Sequence, residues 1–151
     1  MLKNNLARVG QVFRYFFVKY DENIERYAVK NLSEKECEIW QNMAEYDRVH
    51  CYKVAVEIEK RKEIFPEELW IKAALLHDCG KDRNIGFIER VLYALFKFNG
   101  RLKNHPESGY EKLKNINSEI AEIVKLHHNK NQTGLIDEIT HSCLLITYTR
   151  S

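Results

Sequence analysis

Strand-forming alternation is what the chain lacks. No run of β-branched residues alternates with polar ones over the length of a strand, and only Pro66, Pro106 and six glycines punctuate 151 residues. Apolar residues recur instead at three- and four-residue spacing, which places them on one face of an α-helix. The chain is therefore expected to be all-α. Start signals agree: Ser33 followed by Glu36 is a capping box, Pro66 suits a first helical turn, and Asn117 can cap a helix opening at Ser118. Helices are expected over residues 6–20, 22–31, 34–46, 48–62, 67–76, 87–98, 106–113, 118–128 and 136–148. Val49, Val54, Val56, Ile71, Ala74, Leu75, Ile120, Ile123 and Val124 then line the interfaces between them.

No repeat, low-complexity tract or Gly/Ser linker divides the sequence, and its length suits one domain. A formal net charge of +2 predicts no strong attraction to nucleic acid or an acidic membrane. Cys37, Cys51, Cys79 and Cys143 make no CxxC pair and follow no cleavable signal, which points to reduced thiols in a cytoplasmic protein. The aromatic, basic stretch 6–20 is interrupted by Arg8, Arg14 and Lys19, and no apolar run reaches the ~20 residues needed to span a bilayer. Stable membrane insertion is not expected.

The apolar run Ala73-Ala74-Leu75-Leu76 ends in His77-Asp78 and then Cys79-Gly80-Lys81. A run leaving the core normally gives way to solvent-facing turn residues, so an imidazole beside a carboxylate needs another reason. Imidazole nitrogen and carboxylate oxygen suit zinc, iron, manganese or nickel, and His50, His77 and Asp78 make a candidate shell with positions open to water. Such a shell lowers the pKa of bound water toward neutrality. If the helix continues past His77, Lys81 lies four residues on along the same face, where an ammonium suits an anionic substrate, most naturally a phosphate. His105 before Pro106 and the pair His127-His128 are further candidates, while His141 stands apart. The plainer reading of any one of these is a surface or satisfied core histidine, because a His-Asp dipeptide alone is a weak motif.

In order, His50, His77-Asp78 with Gly80-Lys81, His105-Pro106-Glu107 with Gly109, and His127-His128 resemble the motifs of the HD superfamily of metal-dependent phosphohydrolases. The added His105 and His127-His128 resemble its binuclear subgroup, which includes the HD-GYP and diadenosine-tetraphosphate hydrolase branches. The resemblance runs from about Tyr46 to His128 and implies a helical bundle of the HD type, expected over 46–151; the helices of 1–45 lie outside it and are expected to pack on the same domain. It further implies one or two divalent transition metals, iron, manganese, nickel or zinc. His50, His77 and Asp78 are expected to hold the first, and Asp78 to bridge to a second held by His105, His127 and His128. A metal-bound hydroxide is expected to attack the phosphorus of a phosphomonoester or nucleotide-like substrate, with Asp78 and Lys81 as the catalytic residues. Lys81 neutralises the substrate phosphate in this scheme.

Two departures qualify the resemblance. The family closes its first metal shell with an aspartate on the last helix, yet no carboxylate side chain follows Glu138. Thr147 or Thr149 stands near that place, and Asp137 is a displaced substitute. His128 is followed by Asn129-Lys130-Asn131 in place of the glutamate and Gly-Tyr-Pro run of the cyclic-dinucleotide branch, which argues against cyclic di-GMP as substrate. The rival expectation is a catalytically degenerate HD module that binds a nucleotide or partner protein in a regulatory role. The aromatic stretch 87–98 is read as core packing, with a lid, a membrane-surface contact or a homodimer contact as its functional alternatives.

Overall fold

The computed structural model describes residues 19–61, 68–86, 89 and 102–128. Among them there are helices and no strand, as the spacing predicts. The elements are α1 (Glu22–Asn31), α2 (Glu34–Gln41), α3 (Glu45–Lys60), α4 (Glu68–Leu76), α5 (His105–Leu113) and α6 (Ser118–Leu126). The expected helix over 136–148 lies outside the described residues, as do 6–20 except Lys19 and Tyr20, which are not helical, and 87–98 except Glu89.

Local chemistry sets the helix starts. The Asp21 carboxylate accepts from the amides of Asn23 and Ile24 at the head of α1, and the Asn117 side chain accepts from Ile120 at the head of α6. Ser33 and Glu36 form the complete capping box of α2. Several ends differ from expectation, among them that of the helix expected over 48–62, which stops at Lys60. The helix expected over 34–46 stops at Gln41, because the Asn42 side chain and amide both turn back onto the Glu38 carbonyl and Met43 closes onto Trp40. The chain then re-enters a helix at Glu45 rather than at Arg48. Likewise the helix expected over 118–128 ends at Leu126, where the ring of His127 takes the Val124 carbonyl.

Helix α3 packs along α4, and α5 along α6, while α4 also meets α6; α1 leans on α3 and α4. Trp40, Val54, Ile58, Leu75, Leu76, Leu113, Ile120 and Val124 are fully enclosed between these helices. Each large apolar side chain buried there contributes roughly 1.5–3 kcal/mol relative to exposure. Of the residues expected to line the interfaces, Ile71 and Ile123 pack at the margin of this core and Val56 is half-buried. Glu25 ties α1 to the start of α3: its carboxylate takes the Tyr20 hydroxyl, the Trp40 indole N–H at 3.3 Å and Arg48 at 3.4 Å. That contact anchors the helix turn that carries His50.

Candidate metal centre

The run Ala73–Leu76 is wholly buried, and burial does not end with it. Helix α4 stops at Leu76, but the Cys79 amide still reaches the Leu76 carbonyl at 2.9 Å and the Lys81 amide the Asp78 carbonyl at 3.0 Å. His77 and Asp78 therefore sit in a tight turn inside the molecule, 2% and 3% exposed. Lys81 reaches Asp78 by way of this turn and not along a continuous helix: its ammonium lies 2.5 Å from Asp78 Oδ2.

Two glycines let that turn lie against α5. A Cβ on Gly80 would stand 1.8 Å from the His105 carbonyl oxygen and 2.5 Å from the Gly109 amide, both of them backbone. One on Gly109 would stand 2.7 Å from Val124 Cγ1. No other residue fits at Gly80 without separating the two segments. Lys112 adds a bond from α5 to the Cys79 carbonyl at 2.7 Å. Close approach of turn and helix is what carries His105, the first residue of α5, to Asp78.

All seven residues proposed from the sequence, His50, His77, Asp78, Lys81, His105, His127 and His128, come together here. Asp78 stands between two sets of imidazoles. Its Oδ2 faces His77 Nε2 at 3.5 Å and His50 Nε2 at 3.9 Å, and its Oδ1 faces His105 Nε2 at 3.4 Å. Nε2 of His105 is in turn 3.2 Å from that of His127 and 3.1 Å from that of His128. The rings form one chain, with His77 and His127 joining the two sets at a centroid separation of 5.4 Å. Only His128 is exposed. His141, Asp137, Thr147 and Thr149 lie outside the described residues.

The orientation of three rings follows from the backbone. Nδ1 of His77, His105 and His127 lies 2.8, 2.6 and 2.5 Å from the carbonyl three residues earlier, of Ala74, Leu102 and Val124 respectively. A carbonyl only accepts, so each Nδ1 carries the hydrogen, and in the neutral ring the lone pair lies on Nε2. Burial pushes His127 down to about 2 and His50 to about 3, and lowers His77 as well, although Asp78 opposes the shift in each. At Asp78 burial raises the carboxyl, but the Lys81 ammonium beside it outweighs burial and holds the group well below the usual carboxylate range.

In the neutral tautomers that these bonds set, the facing Nε2 lone pairs of His105 and His127 repel one another unless they share a cation. The spacing suits one. Two nitrogens bound tetrahedrally at 2.0–2.1 Å to one ion are separated by about 3.3 Å, close to the 3.1 and 3.2 Å found among His105, His127 and His128. His50, His77 and Asp78 form a second group whose ligand atoms also lie within reach of one ion. Nδ1–H bonds to backbone carbonyls are the usual device for fixing a metal-binding imidazole.

A family model described as the HD domain matches residues 48–148. The chain belongs to the HD domain family. No curated protein and no solved structure matched it. HD domains bind divalent metals and are in general metal-dependent phosphohydrolases. Among the described residues no helix is long and apolar enough to cross a membrane.

Burial also decides what the cysteines beside the site can do. It raises the Cys79 thiol to about 12 and the Cys51 thiol well above its ordinary value. Both stay protonated at neutral pH, and neither offers a free thiolate for nucleophilic attack. Asp47 is the participant that sequence reading passed over. It is 1% exposed, with a carboxylate oxygen 3.8 Å from the Lys81 ammonium. Its position three residues before His50, one turn earlier on the same helix face, was the available signal.

Proposed function

We propose that this HD domain is a phosphohydrolase acting on a phosphomonoester or nucleotide-like substrate. In this reading His50, His77 and Asp78 would hold one divalent ion, and His105, His127 and His128 would hold a second, with Asp78 lying between the two sets. The observation that supports it best is the convergence of the Nε2 atoms of His50, His77 and His105 on a single buried carboxylate. Bound divalent ions supply Lewis acidity and a coordinated water ionisable near neutral pH.

The chain's own residues do the rest. Asp78, kept ionised, gives both sets of imidazoles a common anionic partner. The backbone carbonyls of Ala74, Leu102 and Val124 hold three rings so that Nε2 faces inward. Lys81, whose side chain is 18% exposed, stands where the buried cluster meets solvent and neutralises the phosphate of an arriving substrate. His128 is the exposed member of the histidine cluster.

A second reading is a degenerate HD module that binds a nucleotide or partner protein, favoured by the absence of any carboxylate side chain after Glu138. Metal content per chain separates the two. Elemental analysis of protein purified without chelators is expected to give about two equivalents, lost in the Asp78→Ala variant, followed by turnover in a screen of phosphomonoesters and dinucleotides. Absence of metal after anaerobic reconstitution with iron, manganese, nickel or zinc would overturn the hydrolase reading in favour of the second.

A further inference from the structure

Lys81 and the first metal group claim the same atom. Asp78 Oδ2 faces His50 and His77, and the Lys81 ammonium lies 2.5 Å from that same oxygen. A divalent ion seated by His50, His77 and Asp78 takes Oδ2 as its ligand and meets the ammonium there. Two cations crowded on one carboxylate oxygen inside a protein repel strongly. The ammonium then has to leave Oδ2, and free of other constraint it would swing out to water on its long flexible stem.

Asp47 supplies that constraint. It belongs to α3, one turn before His50, and its carboxylate is as secluded as that of Asp78. Its Oδ1 is 3.8 Å from Lys81 Nζ, near enough to take the ammonium after a small rotation of the lysine side chain. A carboxylate with no cationic neighbour would not be retained in so dry a place. We propose that Asp47 is a positioning residue: it receives the Lys81 ammonium when an ion takes Asp78 Oδ2, and keeps that charge beside the ion to meet a substrate phosphate. Lys81 thus competes with the metal at one carboxylate and serves the substrate from the other. The inference rests on the metal-binding reading above.

The test is a calorimetric titration of Mn2+ into chelator-stripped full-length protein, for the wild type, Asp47→Asn, Lys81→Met and the double variant, with circular dichroism as a check on folding. Lys81→Met removes the competitor and is expected to tighten Mn2+ binding about tenfold. Asp47→Asn leaves the ammonium on Asp78 and is expected to weaken it about tenfold, the scale usual for residues that orient a metal ligand. In the Lys81→Met background the same Asp47→Asn change is expected to cost no more than about twofold, because no ammonium remains to be placed. Inorganic phosphate should bind the Mn2+-loaded protein about tenfold more weakly in either single variant, with no further loss in the double.

Equal loss of Mn2+ affinity from Asp47→Asn in both backgrounds would overturn the proposal and make Asp47 a direct partner of the ion. Should Asp47→Asn fail to fold, Lys81→Met decides alone: unchanged or weaker Mn2+ binding overturns it. A wild type that binds neither Mn2+ nor Zn2+, Ni2+ or Fe2+ defeats the metal reading itself, whereas binding without coupling defeats only the part given to Asp47.

Discussion

Asp78 and Glu36 are both carboxylates shut away from water, 3% and 2% exposed, and they are buried for opposite reasons. Glu36 is met by groups that carry hydrogen: the Ser33 amide at 2.8 Å, the Asn117 side-chain amide at 3.2 Å and the Lys72 ammonium at 3.7 Å. Those partners belong to the heads of α2 and α6 and to α4, so the carboxylate fastens three helices. Around Asp78, by contrast, His77 and His105 have already given their Nδ1 hydrogens to backbone carbonyls and turn Nε2 toward the carboxylate. Burial raises both carboxyls. At Glu36 hydrogen bonds from Ser33 and Asn117, aided by Lys72, outweigh it, and at Asp78 the Lys81 charge comes foremost. A buried carboxylate met by donors from three helices is architecture; one whose neighbours also present imidazole lone pairs is suited to share a cation with them.

The contrast is sharpest under mutation. Asp78→Ala is expected to abolish metal binding and to lower any phosphohydrolase turnover by at least about a thousandfold. Its helical circular dichroism and melting temperature should stay close to wild type, since the imidazoles are already neutral and Lys81 can reach solvent. Collapse of the fold in that variant would show that Asp78 holds the structure together as Glu36 does.

Glu36→Ala should do the reverse. It strands the Lys72 ammonium, the Asn117 amide and the Ser33 amide, and is expected to cost about 3 kcal/mol of unfolding free energy. Urea unfolding measures that loss. Below the transition, metal content should match wild type, because no partner of Glu36 touches Asp78 or the histidines. Loss of metal in the folded variant would erase the distinction between the two carboxylates.

How far these regions were legible differs too. The capping box at Ser33 and Glu36 and the cap at Asn117 are written in adjacent residues, and local chemistry suffices to read them. The ordered histidines around His77-Asp78 were legible as a pattern because each contributes one recognisable ligand type. What could not be read is where elements from distant parts of the chain touch. Glu36 looks like an ordinary first-turn glutamate until Asn117 closes on it from 81 residues away. Asp47 looks like one more helix-start acid until Lys81 arrives. Periodicity also joined 34–46 into one helix, because it registers apolar spacing but not the Asn42 side chain competing for a helix carbonyl.

Gly80→Ala tests whether the two ends can be uncoupled at all. The added Cβ meets the His105 carbonyl and the Gly109 amide, and backbone cannot rotate away as a side chain can. Parting the turn from α5 is expected to cost about 2 kcal/mol and to pull His105 off Asp78. Stability and one equivalent of metal should therefore fall together, unlike in either carboxylate variant. Wild-type values for both would mean that the glycine's proximity to α5 has no consequence for the site.

Acid separates the two ends in chelator-treated protein, though by smaller increments. His50 and His127 stay neutral in the fold down to about 3 and about 2, yet take up protons near pH 6.5 once unfolded. Between those limits the unfolded chain binds more protons, so stability falls as pH drops below about 6.5, by at most about 1.4 kcal/mol per pH unit for each ring. Glu36 has its folded value lowered, so its contribution is fully present above the unfolded carboxylate value of about 4.5 and fades as pH falls through the lower folded one. Unfolding free energy followed from pH 7 to pH 3 should thus decline in two stages. His50→Gln should flatten the upper stage and Glu36→Gln the lower. A His50→Gln profile parallel to wild type between pH 6.5 and 4.5 would mean that the imidazole is not held neutral by burial.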